Sequence, residues 1–279
     1  MKVKDLSTYL FYYMNSFLKT YVYPWFGFIS HHDLINKYCP QLSTDSTGLE
    51  QYFDDSKYFY TCIYESGKPS QWIAILEKTN GTITDESRVK MLRLYDNKSR
   101  YMVENNRYGF YSVYDSNFAK YRANRLNVVC IFNKFDPFET TDKFASYTVG
   151  QFIDTGKNIL TFYRTVIPAY YDGLSSTSTY TGRIYNWCVD GRLFEQYFVI
   201  NGVKNGPYRL WSNGYLQIDE NYSNGKRTGH CTIYYPNSYQ ISSEGDFIDN
   251  EKVGFHLNYL FDGSVQSKVY HKINIDDLD

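Results

Sequence analysis

A chain of 279 residues holds one large domain or two modest ones, and either can bury a core. Its 29 Lys and Arg balance 30 Asp and Glu, which argues against a dedicated nucleic-acid binder. The 31 Tyr, 19 Phe and 4 Trp stand beside five Ala, a bias that favours strands over helices.

Residues 1–30 form the first segment. Leu6, Tyr9, Leu10, Tyr13, Phe17 and Tyr21 recur at helical spacing, with Thr8, Asn15, Ser16 and Lys19 largely opposite. Asp5 is placed to cap this helix and Pro24 to stop it. An aromatic amphipathic helix either packs on its own domain or lies in a membrane interface, although its polar face carries a single lysine. Polar residues interrupt it too often for a membrane span. His31-His32-Asp33 follows, and reads as a solvated turn rather than a catalytic or metal cluster.

Residues 31–175 read as a β-rich domain. Short apolar and β-branched runs at 58–64, 72–78, 89–95, 110–114, 126–132 and 159–167 predict strands, with Asn80-Gly81 and Asp96-Asn97 among the turns between them. The small polar stretch Gly173–Thr181 is the linker candidate.

Residues 176–279 carry a repeat. Gly182, Gly206, Gly229 and Gly254 are spaced by 24, 23 and 25 residues. Five residues after each stands an aromatic: Trp187, Trp211, Tyr234 or Tyr259. A turn dipeptide follows each aromatic: Asp190-Gly191, Asn213-Gly214, Asn237-Ser238 and Asp262-Gly263. Four residues before each glycine stands Ser178, Gly202, Gly225 or Asn250. Asn-Gly and Asp-Gly supply the positive φ of a tight hairpin turn, so Gly191, Gly214, Asn237 and Gly263 mark the turns. Each unit is then a strand, a tight turn, a return strand and a Gly-x-x-x-Gly loop. One hairpin is marginal in water, so the units must stack into a continuous antiparallel sheet over 179–270. Arg107, Gly109 and Tyr114, with Asn105 before them, echo the same template upstream.

This pattern resembles MORN repeats, and the segment NGYLQIDENYSNGKRTGHCTIYY at 213–235 carries the resemblance best. It covers about 90 residues. Near the end the pattern departs: Asn237-Ser238 replaces Asn-Gly, and the segment after Gly263 trails into an acidic tail. Variant arrays of this class occur in bacterial antitoxin-like proteins and in large DNA viruses of amoebae. The resemblance implies a scaffold for protein or membrane association, sometimes attached to an enzyme domain.

Chemistry-bearing motifs are missing. The chain has no G-x-S-x-G elbow, no G-x-G-x-x-G and no P-loop. Cys39, Cys62, Cys130, Cys188 and Cys231 include no C-x-x-C, which predicts reduced thiols, no disulfide and a cytoplasmic or virion location rather than secretion. Cys231 and His256 both sit two residues after a repeat glycine, on strands one strand apart, so they stand roughly 9–10 Å from each other. Zinc needs donors at about 2.0–2.3 Å, and no metal or cofactor is expected.

The aromatic column of Trp187, Trp211, Tyr234 and Tyr259 has two readings. It is an internal ladder, mostly buried with exposure rising toward Tyr259, or it lines a partner-binding groove. Lys204, Lys226, Arg227 and Lys252 project from the loop edge, either solvated or facing an acidic partner or anionic lipid.

The expected fold is mainly β: a C-terminal hairpin array packed on or following a β-rich domain with an N-terminal helix. The expected function is non-enzymatic, an interaction or structural scaffold with a protein partner and no nucleic acid. The alternatives are a peripheral membrane adaptor, built on the N-terminal helix and the basic edge, and an enzyme with a diverged site in residues 30–175.

Overall fold

A computed structural model describes residues 35–36, 38–42, 49–53, 57–80, 82, 84–85, 117–154 and 160–272. The expected N-terminal helix, the His31-His32-Asp33 turn, the strands at 89–95 and 110–114 and the upstream echo of the repeat lie outside these residues. The chain forms two compact units, 1–55 and 56–279. In the first, a 3₁₀ turn (Pro40–Leu42) and the one-turn helix α1 (Glu50–Phe53) accompany buried Ile35, Cys39, Leu42, Leu49 and Phe53.

The second unit is strand-built, as its aromatic and β-branched content predicts. Its first part comprises β1 (Tyr58–Glu65), β2 (Lys68–Glu77), β3 (Thr84–Asp85), β4 (Lys120–Ala123), β5 (Arg125–Asn133), β6 (Lys143–Phe144), β7 (Tyr147–Thr148), β8 (Phe152–Asp154) and β9 (Leu160–Tyr163). Among the described residues, seven of these make one curled sheet in the order β3-β4-β9-β1-β2-β5-β8, and β6 pairs with β7. Ser66 and Gly67, both at positive φ, close the β1–β2 hairpin. Phe59, Ile63, Leu76, Leu126, Ile131 and Phe162 form the centre of its core.

The strand expected over 159–167 stops at Tyr163, and Val166–Tyr171 is a short helix, α2. All six of its residues are buried. A helix apolar all round has no periodicity to distinguish it from a buried strand, so the sequence misleads here. Pro168 is tolerated because it lies in the first turn, where backbone N–H groups have no intrahelical acceptor.

The array follows as a single antiparallel meander of eight strands in chain order: β10 (Gly182–Trp187), β11 (Leu193–Ile200), β12 (Val203–Ser212), β13 (Tyr215–Ser223), β14 (Lys226–Tyr234), β15 (Ile241–Ile248), β16 (Glu251–Tyr259) and β17 (Val265–His271). Its turns obey the repeat. Asn213 and Gly214 both take positive φ, as do Asn201-Gly202, Asn224-Gly225 and Asp249-Asn250 at the opposite end. The Asp190-Gly191 and Asp262-Gly263 turns are one residue longer. In each, the glycine N–H donates to the carbonyl three residues back, from Gly191 to Cys188 and from Gly263 to Leu260. The turn at Asn237-Ser238 is wider still, closed by Tyr235 N–H donating to the Gln240 carbonyl.

The third glycine column is not a loop feature. Gly206, Gly229 and Gly254 sit inside strands β12, β14 and β16 at positive φ. Beside each, one residue of one strand stands opposite three of the other, as Glu220 does between the Asp219–Thr232 and Asn221–Thr228 pairs. These are β-bulges, and each repeat places one in the same register. A second bulge stands opposite every aromatic of the column, at Trp187, Trp211, Tyr234 and Tyr259. The repeat is thus a code for two kinks per hairpin as well as for turns.

Through the middle of the array runs a buried row across successive strands. Ile184, Tyr197, Tyr208 and Glu220 pair in sequence, Cys231 bonds Glu220, and Gly245 pairs with Cys231. Gly245 has no space for a side chain, because a Cβ there would meet the His256 ring at 2.3 Å.

Candidate functional site

The two sheets of the second unit meet where α2 lies between β1, β9 and β10. Three contacts fasten the seam. Phe118 stacks on Trp187 with ring planes 5° apart, Tyr171 of α2 packs edge-on against Tyr185, and Lys120 N–H donates to the Val189 carbonyl in the first array turn. The stretch Gly173–Thr181 continues this packing. Leu174 is buried, and Gly202 comes so close to Thr177 and Ser178 that a Cβ there would touch their backbone.

A cavity of about 520 Å³ opens at this seam. One wall is aromatic, formed by Tyr171, Tyr185 and Trp187 with Phe194 and Val189 toward the rim. The other wall is polar and centres on Asp172, which follows the last residue of α2. Tyr64 Oη donates to Asp172 Oδ1 at 2.7 Å and Tyr163 Oη to Oδ2 at 3.0 Å, while Lys120 Nζ stands 3.6 Å from Oδ2. Burial, with the Asp172 carboxylate beside it, pushes each of the two phenols well up. Gly173 makes the arrangement feasible. It takes φ +82°, and a Cβ on it would lie 2.1 Å from Pro69.

Behind Asp172 lies a buried pair. Lys134 is 1% exposed, and its Nζ donates to the Asp172 carbonyl at 3.0 Å and to Cys62 Sγ at 3.4 Å. Burial pushes the Cys62 thiol up and the Lys134 amine down, against their mutual attraction. The Cys62 shift favours the neutral thiol over the reactive thiolate, so this cysteine is not an activated nucleophile.

The residues singled out by the repeat are distributed along the array. Of the aromatic column, Trp211 alone is buried, at 5% exposure, while Trp187, Tyr234 and Tyr259 are half-buried. The expected rise in exposure from Trp187 to Tyr259 is absent, because Trp187 at the near end lines the cavity. Tyr259 Oη donates to Glu244 Oε1, which orients the ring.

Three of the four basic loop residues, Lys204, Lys226 and Arg227, are engaged within the chain. Lys204 Nζ sits over the rings of Tyr197, Tyr208 and Tyr222 at 4.0–5.2 Å and pairs with Glu195. Lys226 pairs with Asp249, and Arg227 lies over Phe247. Cys231 and His256 are likewise committed to different partners. Cys231 Sγ contacts Glu220 Oε2 at 3.6 Å, and His256 Nε2 bonds the Asp246 carbonyl at 2.8 Å. No three His, Cys, Asp or Glu side chains come close enough to hold a metal among the described residues. No helix among those residues is long and apolar enough to cross a membrane.

The far end of the array is different in character. Phe255, Leu260, Phe261, Val265, Val269 and Tyr270 are 44–62% exposed. Phe255 and Tyr270 touch edge to face, with Lys268 Nζ 3.9 Å from the Phe255 centroid.

Sequence reasoning reached Trp187 but missed Asp172, Tyr64, Tyr163, Lys120 and Lys134. They come from β1, β4, β9 and the residues just after β5 and α2, and no short motif joins them. The one local signal is Gly173, a glycine just past the helix C-cap Asp172, which opened the stretch read as a linker.

Compared with known proteins, the chain matches no family model, no curated protein and no solved structure.

Proposed function

We propose that the protein is a non-enzymatic interaction or scaffold protein, and that the end of its array takes a protein partner by strand addition. The observation that carries this reading is β17. Among the described residues it pairs with β16 alone, so its outer edge offers a row of backbone donors and acceptors. Sheet edges in soluble proteins are usually short, charged or bulged. This one runs for seven residues with a single lysine, and its apolar Val265, Val269 and Tyr270 are about half exposed beside polar Gln266, Ser267 and His271. An extended segment laid along it would continue the sheet, drawing affinity from backbone bonds and specificity from side-chain contacts with exposed Phe255 and Tyr270.

The MORN-like register of the sequence points the same way. Stacked units bury their faces against neighbours, and among the described residues the last unit has a neighbour on one side only. The membrane-adaptor reading gains less, since Lys204, Lys226 and Arg227 are occupied inside the chain.

The test is site-specific photo-crosslinking in the cells that make the protein, with the probe at position 255 or 270 and a control at exposed Tyr239. One discrete adduct of the same mass from both array-end positions, absent from the control and lost on Val269→Lys, is expected. No adduct, or the same adducts from all three positions, overturns the reading. An adduct of twice the chain mass replaces the foreign partner with a second copy.

A further inference from the structure

The seam cavity is a site that the proposed strand addition does not use. Its volume of about 520 Å³ lies within the range of roughly 300–1,000 Å³ in which small-molecule sites fall. Its two walls differ in chemistry. The aromatic wall suits a flat or apolar group, because Tyr171, Tyr185 and Trp187 are held by packing on one another and Trp187 also by Phe118. The polar wall presents one cation and one anion side by side, Lys120 and Asp172, 3.6 Å apart.

That charge pair decides the class of ligand. A simple amine would be drawn to Asp172 but would face Lys120, and a simple carboxylate would meet the reverse conflict. A zwitterion whose two charges are separated by a single carbon satisfies both groups at once. Asp172 is already oriented by Tyr64 and Tyr163, so little reorganisation is needed on binding. Among the described residues, Lys120 Nζ meets the protein through its ion pair with Asp172 and the Tyr163 ring face, 5.4 Å away, which leaves N–H donors for a ligand carboxylate.

We propose that this cavity binds a free α-amino acid with an aromatic or large apolar side chain, its ammonium at Asp172, its carboxylate at Lys120 and its side chain against Tyr185, Trp187 and Phe194. The site is independent of β17, and failure of either proposal leaves the other standing.

Isothermal titration of the full chain with phenylalanine, phenethylamine, 3-phenylpropionate and phenylalanyl-glycine tests it. The first carries both charges on one carbon, the next two carry one charge each, and the dipeptide holds the two charges a peptide unit further apart. Phenylalanine is expected to bind at least tenfold more tightly than any of the other three. Lys120→Met should remove its advantage over phenethylamine. Phe194→Ser, at a rim residue 38% exposed, should weaken phenylalanine at least fivefold with an unchanged thermal midpoint. Equal binding of a single-charge analogue overturns the proposal. So does an absence of heat with phenylalanine, tyrosine, tryptophan and leucine through the millimolar range, or full binding by Phe194→Ser.

Discussion

Cys231 shows how much one residue of the array depends on its neighbours. Its thiol is buried in the central row against Glu220, and burial with the Glu220 carboxylate beside it pushes it up to about 12 from 9.0. A thiol held protonated in the folded state contributes stability that is complete below pH 9.0, its unfolded value, and is lost as pH rises toward about 12. Cys231→Ala has no such term. The stability gap between wild type and Cys231→Ala, followed by chemical denaturation, should therefore be constant from pH 6 to 8 and close as pH climbs from 9 to 12. A gap that stays constant or widens over that range excludes this account. The turn residues were legible at this scale because Asn-Gly has one strong backbone meaning, and Asn213 and Gly214 take it. Gly206, Gly229 and Gly254 were recognised as a column but placed in loops. A glycine needing positive φ looks the same in sequence whether it ends a strand or kinks one.

Hairpins of the array share a register but not an environment. Trp211 lies in the second unit, between neighbours on both sides, and is buried. Tyr259 lies beside the last strand, half-buried and bonded through its hydroxyl to Glu244. Trp211→Ala should cost about 3–5 kcal/mol by loss of a large buried ring, whereas Tyr259→Ala, which removes a partly exposed ring and its hydrogen bond to Glu244, should cost clearly less. Urea denaturation of the two variants measures both, and equal losses would mean that position in the array does not govern the ladder. Strand existence was readable where an apolar and β-branched run was long enough, as for β1, β2 and β5, and where turn dipeptides bounded the run, as across β10–β17. The short strands β3, β4, β6, β7 and β8 were not, since two to four residues carry no measurable alternation. Helix α2 was misread as the end of a strand for the related reason that full burial erases its period.

Within the second unit, the array is anchored at one end. Its first strand is packed against α2 and Phe118, and among the described residues its last has a partner on one side only. Stability in a stacked array is a sum of unit and nearest-neighbour terms, so opening should begin where a neighbour is missing. Native-state hydrogen exchange should show the shortest protection in β17, intermediate protection in β15 and β16, and the longest in β11 to β13. Uniform protection across the eight strands would show instead that the array opens only with the whole unit. The same anchoring brings Lys120 and Trp187 to one cavity, although 67 positions separate them in the chain.

By itself the sequence determined the C-terminal sheet: its antiparallel order, its hairpin turns and the spacing of its aromatic column. Those features rest on local backbone requirements, positive φ at fixed intervals and a two-residue pleat, and local requirements are written in consecutive residues. Tertiary structure alone decided which of the four column rings is buried and where the third glycine column bends the strands. It also decided that α2 is a helix, and that Asp172, Tyr64, Tyr163 and Lys120 converge at the seam. Burial and convergence depend on which distant segment packs alongside, and no periodicity within a segment encodes its neighbour's identity.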